Sequence, residues 1–306
     1  MTDITNPIYN DPDAARAHLE ALRWADGRFC PHCGATEGTA EVKGKKRSHR
    51  DGLYYCNDCK KQFTVTVGTI FERSKVPLHK WVLAYQLMAS SKKGMSAHQL
   101  HRMLGVTYKT AWFMAHRIRE TMRDDDPSPM GGPDGSVEAD ETYFGTKDEY
   151  RGKPWKERKG HSKKMSVVSL VSGGKSRTFH VNRADARTIR ELLVTNVDRK
   201  TELHTDESRL YIKAGEEFKA HKSVNHGRLE YVRKDGVTTN HVENYFSIFK
   251  RGMKGIYQHC KEKHLQRYLD EFDFRYSNRD KTDAERANLA IIRAEGRRLT
   301  YQQPTR

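Results

Sequence analysis

GSVEADETYFG, residues 135–145, alternates Val137 and Ala139 with Glu138 and Asp140 and closes on the aromatic pair Tyr143 and Phe144. A period of two reads as a strand carrying Glu138 and Asp140 on one side. Two strand-like runs follow, MSVVSLVSGG and KSRTFHVNR (165–183), joined by Gly173-Gly174, a hairpin turn signal. ADARTIRELLVTNV (184–197) has Ile189, Leu192 and Leu193 at helical spacing, and TELHTDESRLY (201–211) reads as a short strand ending at Asp206. HKSVNHGRLEYVRKDG (221–236) looks like irregular strand and loop. NHVENYFSIFKRGMK (240–254) is amphipathic, with Val242, Phe246 and Phe249 on a core stripe and Asn240, Glu243, Lys250 and Lys254 on another. KHLQRYLDEFDFRYSNR (263–279) is a second amphipathic helix. Three meander strands, a helix, a strand and closing helices predict an α/β domain with a mixed sheet over 136–282.

Three carboxylates stand out in that frame: Asp140 on the first strand, Asp206 at the end of the fourth, and Glu243 on the helix beyond. If the first strand lies beside the fourth, the three converge. Such a set holds Mg²⁺ or Mn²⁺, which take oxygen ligands and leave positions open for phosphate oxygens. Two such ions serve in-line phosphoryl transfer. Taken singly, each acid reads equally as a surface carboxylate, and Glu243 with Lys250 reads as an ordinary charged helix face.

Upstream, FCPHCG (29–34) and YYCNDCKKQF (54–63) place Cys30 and Cys33 in one C-x-x-C pair and Cys56 and Cys59 in another. Four thiolates in two knuckles make a tetrahedral Zn²⁺ site, and Tyr54, Tyr55 and Phe63 supply the strands of a zinc ribbon over 25–72. His32 and His49 lie nearby, but four thiolates already complete the shell. VKGKKRSHR (42–50) carries Lys43, Lys45, Lys46, Arg47 and Arg50 with no acid, as a phosphate-contacting loop does. Cys260 stands outside the two C-x-x-C pairs and reads as structural.

DAARAHLEALRWA (13–25) has helical composition with Asp13 as a cap, giving an N-terminal helical segment over 1–24. LHKWVLAYQLMASSKKG (78–94), SAHQLHRMLGV (96–106) and TYKTAWFMAHRIRETM (107–122) read as helix, short helix, glycine turn and helix. That is the helix-turn-helix order, expected over 73–123, with Tyr108, Lys109 and Arg117 presented outward and Trp112 inward. DDDPSPMGGPDG (124–135) is a linker by composition. TKDEYRGKPWKERKGHSKK (146–164) is a basic insertion with eight Lys or Arg against three acids. Residues 283–306 read as a C-terminal tail.

The 306 residues carry a net charge of +16, which favours a polyanionic partner. No apolar run is long enough to span a membrane, and the polar, acidic N-terminus is no signal peptide. The expected setting is the cytoplasm, and the nucleoid when bound to DNA.

CPHC, YYCNDCKKQFTVTVGTIFE, VEADETYFG, HTDES, NHVENYFSIFKRG and HLQRYLDEFDFRYSNR together resemble the DDE transposases of bacterial insertion sequences, in particular the ISXO-like branch, across about residues 25–280. The resemblance implies an RNase H-like catalytic domain behind a zinc ribbon. It implies binding of double-stranded terminal inverted repeats, then metal-dependent 3′-end cleavage and strand transfer by a homodimer or higher assembly. Asp140, Asp206 and Glu243 match the acidic triad, and Lys250 matches a basic residue that contacts DNA near the scissile end. Some members carry asparagine as third ligand, which brings in Asn240, one turn before Glu243. Glu271 and Arg275 match a downstream acidic and basic pair. Glu138, His204 and His241 adjoin proposed ligands. A regulator derived from such an enzyme, and a structure-specific nuclease on the same fold, are the alternatives.

Overall fold

The strand expected at 136–144 is the middle strand of a five-stranded mixed sheet. The computed structural model describes residues 3–43, 49–224 and 236–301. In chain order the first elements are α1 (Pro12–Arg23), β1 (Thr39–Glu41), β2 (Tyr54–Cys56), β3 (Gln62–Phe63), α2 (Leu78–Ser90), α3 (Ala97–Leu104) and α4 (Tyr108–Met122). Then come β4 (Ser136–Phe144), α5 (Trp155–Arg158), β5 (Met165–Ser172), β6 (Lys175–Val181), α6 (Ala186–Asn196), β7 (Glu202–Thr205), α7 (Ile212–Gly215) and β8 (Ala220–Ser223). The closing helices are α8 (Asn240–Gly252), α9 (Leu265–Ser277) and α10 (Asp283–Ile292). Two compact units result. One comprises Met1–Ser91, Met95–Met122 and Lys281–Arg306; the other comprises Lys92–Gly94 and Arg123–Asp280.

In the second unit the strand order is β6-β5-β4-β7-β8, the order of the RNase H-like sheet expected from the resemblance. β5 runs antiparallel to β4 and β6, whereas β7 and β8 run parallel to β4. Both sheet faces are covered, so β4 is buried on both sides rather than alternating cleanly with solvent. Val137, Ala139, Leu170 and Leu203 pack with Ile189 and Leu193 of α6 and with Tyr211. On the other face Phe144, Met165 and Val167 pack with Val242, Phe246 and Phe249 of α8 and Leu269 and Phe272 of α9. Asp273 of α9 is a polar staple into the sheet, accepting Ser176 Oγ at 2.7 Å, Thr178 Oγ1 at 2.8 Å and Thr178 N at 2.8 Å. Residues 124–135, expected as a linker, are tied to this unit: Met130 N donates to Asn196 O at 2.7 Å and Asp198 N to Met130 O at 2.9 Å.

In the first unit α2 is the central helix, burying Trp81, Val82, Tyr85 and Met88. Gly105 ends α3 in the left-handed conformation (φ 58°), where a Cβ is disfavoured, and Ser96 caps its start. Residues 283–301 of the segment expected as a tail are instead structured. Thr282 and Glu285 form a capping box at the start of α10. Arg286 Nε donates to Ala89 O at 3.0 Å, and Gly296 N to Gly68 O at 2.9 Å. The same segment overturns the outward placing of Arg117. Its Nε donates to Leu299 O at 3.1 Å and its Nη2 to Glu72 O at 3.3 Å, leaving it 8% exposed. Tyr108 and Lys109 are exposed, while Trp112 is half-buried rather than core.

Candidate active site and zinc centre

The two knuckles bring four sulfurs together. Cys30, Cys33, Cys56 and Cys59 have ligand atoms all within 4.8 Å of one another, with Cys30 Sγ 3.6 Å from Cys59 Sγ and Cys33 Sγ 3.7 Å from Cys56 Sγ. A tetrahedron with zinc–sulfur bonds of about 2.3 Å has edges of about 3.8 Å, so the donor set fits a structural Zn²⁺. Each knuckle turns on a left-handed residue after its second cysteine, Gly34 (φ 80°) and Lys60 (φ 59°). The backbone N–H of Cys59, with that of Asp58, draws the Cys56 thiol down to about 7 against the opposing effect of burial. Tyr54 and Phe63 stack behind the sulfurs with centroids 5.7 Å apart. Lys43 and Arg50 of the basic loop are exposed; Lys45, Lys46 and Arg47 lie outside the described residues.

The acidic face grows from strand register. β4 and β7 pair in parallel, with Val137 opposite Leu203 and Glu138 opposite His204. Asp140 lies two residues beyond that last pair, on the same side of the sheet as Glu138, and Asp206 follows the last residue of β7. That side is covered by α8, which carries Glu243. Burial, followed by the charges of Asp206, Glu141 and Glu243, pushes the Asp140 carboxyl up to about 7. The charges of Asp206 and Glu243 thus reach Asp140, although among the described residues only the four cysteines form a group of three or more whose ligand atoms lie within 4.8 Å of one another. Asp206 also accepts Ser208 N at 2.9 Å, which fixes the turn that leaves β7.

Glu138 and Thr239 set the start of α8. Glu138 Oε2 accepts the backbone N–H of His241 at 2.9 Å and of Val242 at 3.0 Å, and Glu138 Oε1 lies 2.7 Å from His241 Nδ1. A carboxylate on β4 therefore caps a helix that starts about a hundred residues later, where the helix dipole favours negative charge. One turn on, Thr239 Oγ1 donates to Glu243 Oε1 at 2.8 Å. Asn240 is exposed in the first turn. Lys250 is exposed two turns beyond Glu243, its ammonium 6.0 Å from the Phe246 ring.

Comparison with known proteins follows the same division. The ISXO2-like transposase domain matches residues 133–277, and the transposase zinc-ribbon domain matches residues 10–62. A protein of Halobacterium salinarum, described as an uncharacterised protein in transposable element ISH50, is 31% identical over 271 residues, covering 84% of this chain and 88% of its own. The chain belongs to the ISXO2-like transposases.

The transposase holds further residues near these acids that spacing alone did not single out. Glu141 lies on the opposite side of β4 from Asp140, and its carboxylate accepts the hydroxyl of fully buried Tyr211 at 2.7 Å. Burial raises Glu141, and the nearby charge of Asp206 raises it further, against that hydrogen bond. Glu141 N also donates to Asp140 Oδ1 at 2.7 Å. The two histidines beside the acids have protein partners: His204 Nε2 lies 2.7 Å from Glu202, and His241 pairs with Glu138. Glu271 and Arg275 form a buried pair within α9, joined by Tyr257, whose hydroxyl donates to Glu271 Oε1 at 2.6 Å. No helix among the described residues is long and apolar enough to cross a membrane.

Proposed function

We propose that the transposase cleaves the 3′ ends of its insertion sequence and joins them to target DNA, using Asp140, Asp206 and Glu243 as ligands of divalent cations. The observation that carries this reading is the placement of Asp140 on the middle strand, with Asp206 just past the end of the neighbouring parallel strand and Glu243 on the helix that covers that side of the sheet. Half-buried carboxylates gathered at one end of a sheet form a donor set suited to hard cations such as Mg²⁺ or Mn²⁺. When bound, a pair of such ions stabilises the attacking and leaving oxygens of in-line phosphoryl transfer.

The chain's own residues do the rest. Glu138 fixes the start of α8 and, with Thr239, aims Glu243. Lys250, on the same helix, supplies a cation for a phosphate near the scissile end. Glu243 is preferred over Asn240 as third ligand because a carboxylate neutralises the cation and because its charge reaches Asp140. Water attacks first and releases a 3′-hydroxyl; that hydroxyl then attacks a target phosphate and the target 3′-oxygen leaves. No protein nucleophile is consumed.

The zinc ribbon and α3–α4 are proposed to hold the terminal inverted repeats. Exposed Tyr108 and Lys109 open the last helix, next to a cleft of about 420 Å³ lined in part by Arg73, Lys75, Lys109 and Arg117. Bringing two element ends together calls for at least a dimer. The test is incubation of the zinc-loaded protein with Mg²⁺ and a labelled duplex taken from the ends of its own element. Nicked ends followed by joined products support the proposal. Binding alone would make it a regulator, and nicking without joining a nuclease.

A further inference from the structure

The insertion between β4 and β5 is left unused by the site above, yet it is a built structure. Its base is closed by Lys147 N donating to Lys163 O at 3.0 Å and by the buried Lys147 ammonium donating to Asn182 O at 2.8 Å. Asp148 N donates to Glu262 at 3.1 Å, and the His161 ring stacks on Tyr143 with centroids 4.5 Å apart. Above this base residues 151–162 are exposed throughout. At their centre Trp155 is 62% exposed, more than any other large apolar side chain among the described residues. The Lys159 ammonium lies 4.2 Å from its ring centroid, and Lys156 and Arg158 flank it in the same short helix.

A pinned base and an exposed, cation-lined indole have a specific use. Basic side chains alone suffice for the backbone of an intact duplex, whose bases are stacked inside and offer an indole no face. An exposed ring among cations suits unpaired nucleotides, which stack on aromatic side chains while the cations meet the flanking phosphates. The insertion leaves the C-terminal end of β4, the end of the sheet toward which Asp140 and Asp206 lie. From Asp140 to Phe144 is about 13 Å along an extended strand.

We propose that this crest binds unpaired DNA at a strand end, with Trp155 as the stacking platform. The inference rests on the DNA-processing reading and adds the form of DNA recognised. The test measures affinity, without added Mg²⁺ or Mn²⁺, for a duplex of about 20 base pairs carrying an unpaired extension of about five nucleotides, against the same duplex with blunt ends. The native protein is expected to bind the extended duplex about ten-fold more tightly than the blunt one. Trp155→Ala should erase that difference while leaving blunt-duplex affinity within about two-fold, and Trp155→Phe should keep most of it. Equal loss on both duplexes, or no loss on either, overturns the inference. Failure of the native protein to bind either duplex would instead overturn the functional reading on which it rests.

Discussion

The Glu138 carboxylate accepts the backbone N–H of Val242 at 3.0 Å, so the first turn of α8 hangs from the middle strand of the sheet. The same oxygen takes the N–H of His241, and Glu138 is only 5% exposed. Removing it leaves two helix N–H groups without their acceptor and frees the helix that carries Glu243.

Glu138→Ala should cost about 2 kcal/mol in the unfolding transition of the catalytic unit, the upper range for loss of a helix cap. It should also lower end cleavage at least about ten-fold with DNA affinity kept, because Glu243 loses its placement. Glu138→Gln retains an acceptor and should restore most of both. Loss of stability with full cleavage in Glu138→Ala would show that the cap does not position the site.

The buried pair in α9 has a different use. Glu271 is fully buried and Arg275 7% exposed, with the Tyr257 hydroxyl on the same carboxylate oxygen. Breaking one side leaves an uncompensated buried charge, so Arg275→Ala should destabilise by about 3–5 kcal/mol. Replacing both, as Glu271→Met with Arg275→Leu, should cost far less. Denaturant unfolding of the two variants decides this.

Asp273 gives the fold a pH dependence. Burial raises its carboxyl to about 6, against the hydrogen bonds from Ser176 and Thr178. A folded value above the unfolded value of 3.8 means that this group's contribution is fully present below about 4 and is lost as pH rises through about 6. The loss is on the order of 3 kcal/mol. Asp273→Asn should flatten that part of the stability profile between pH 4 and 7. Melting curves of native and variant in parallel over that range test it, and equal slopes would contradict it.

Zinc should be present at one ion per chain. Cys59→Ser, or a chelator strong enough to strip the metal, should melt the ribbon and remove binding to the element ends. Metal analysis paired with DNA binding reads both, and full binding by the stripped protein would make the ribbon dispensable.

The architecture was legible where local pattern carries it. Two C-x-x-C pairs name a metal centre by spacing, and the period of two at Val137 and Ala139, followed by the Gly173-Gly174 turn, announces the meander. The order of elements also marks Asp140, Asp206 and Glu243, whose role as metal ligands is the proposal above. What stayed hidden depends on residues far apart in the chain. Arg117 reads as an outward cation until Leu299, 182 residues later, covers it. Glu138 reads only as a neighbour of the proposed ligands until α8 supplies N–H donors 103 and 104 residues on. The last helix had a local signal, Thr282 with Glu285 three residues later, which the polar composition of the segment concealed. Tyr211 gave no sequence sign of reaching Glu141, because that contact exists only once the sheet has formed.

The most direct test of the three-carboxylate site sets the native protein beside Asp140→Asn, Asp206→Asn and Glu243→Gln on one labelled element end in Mn²⁺. Binding and 3′-end release are scored in the same reactions. All three variants should bind the end as the native protein does and lose release by about a thousand-fold or more. Cleavage that survives in Asp140→Asn would contradict the site.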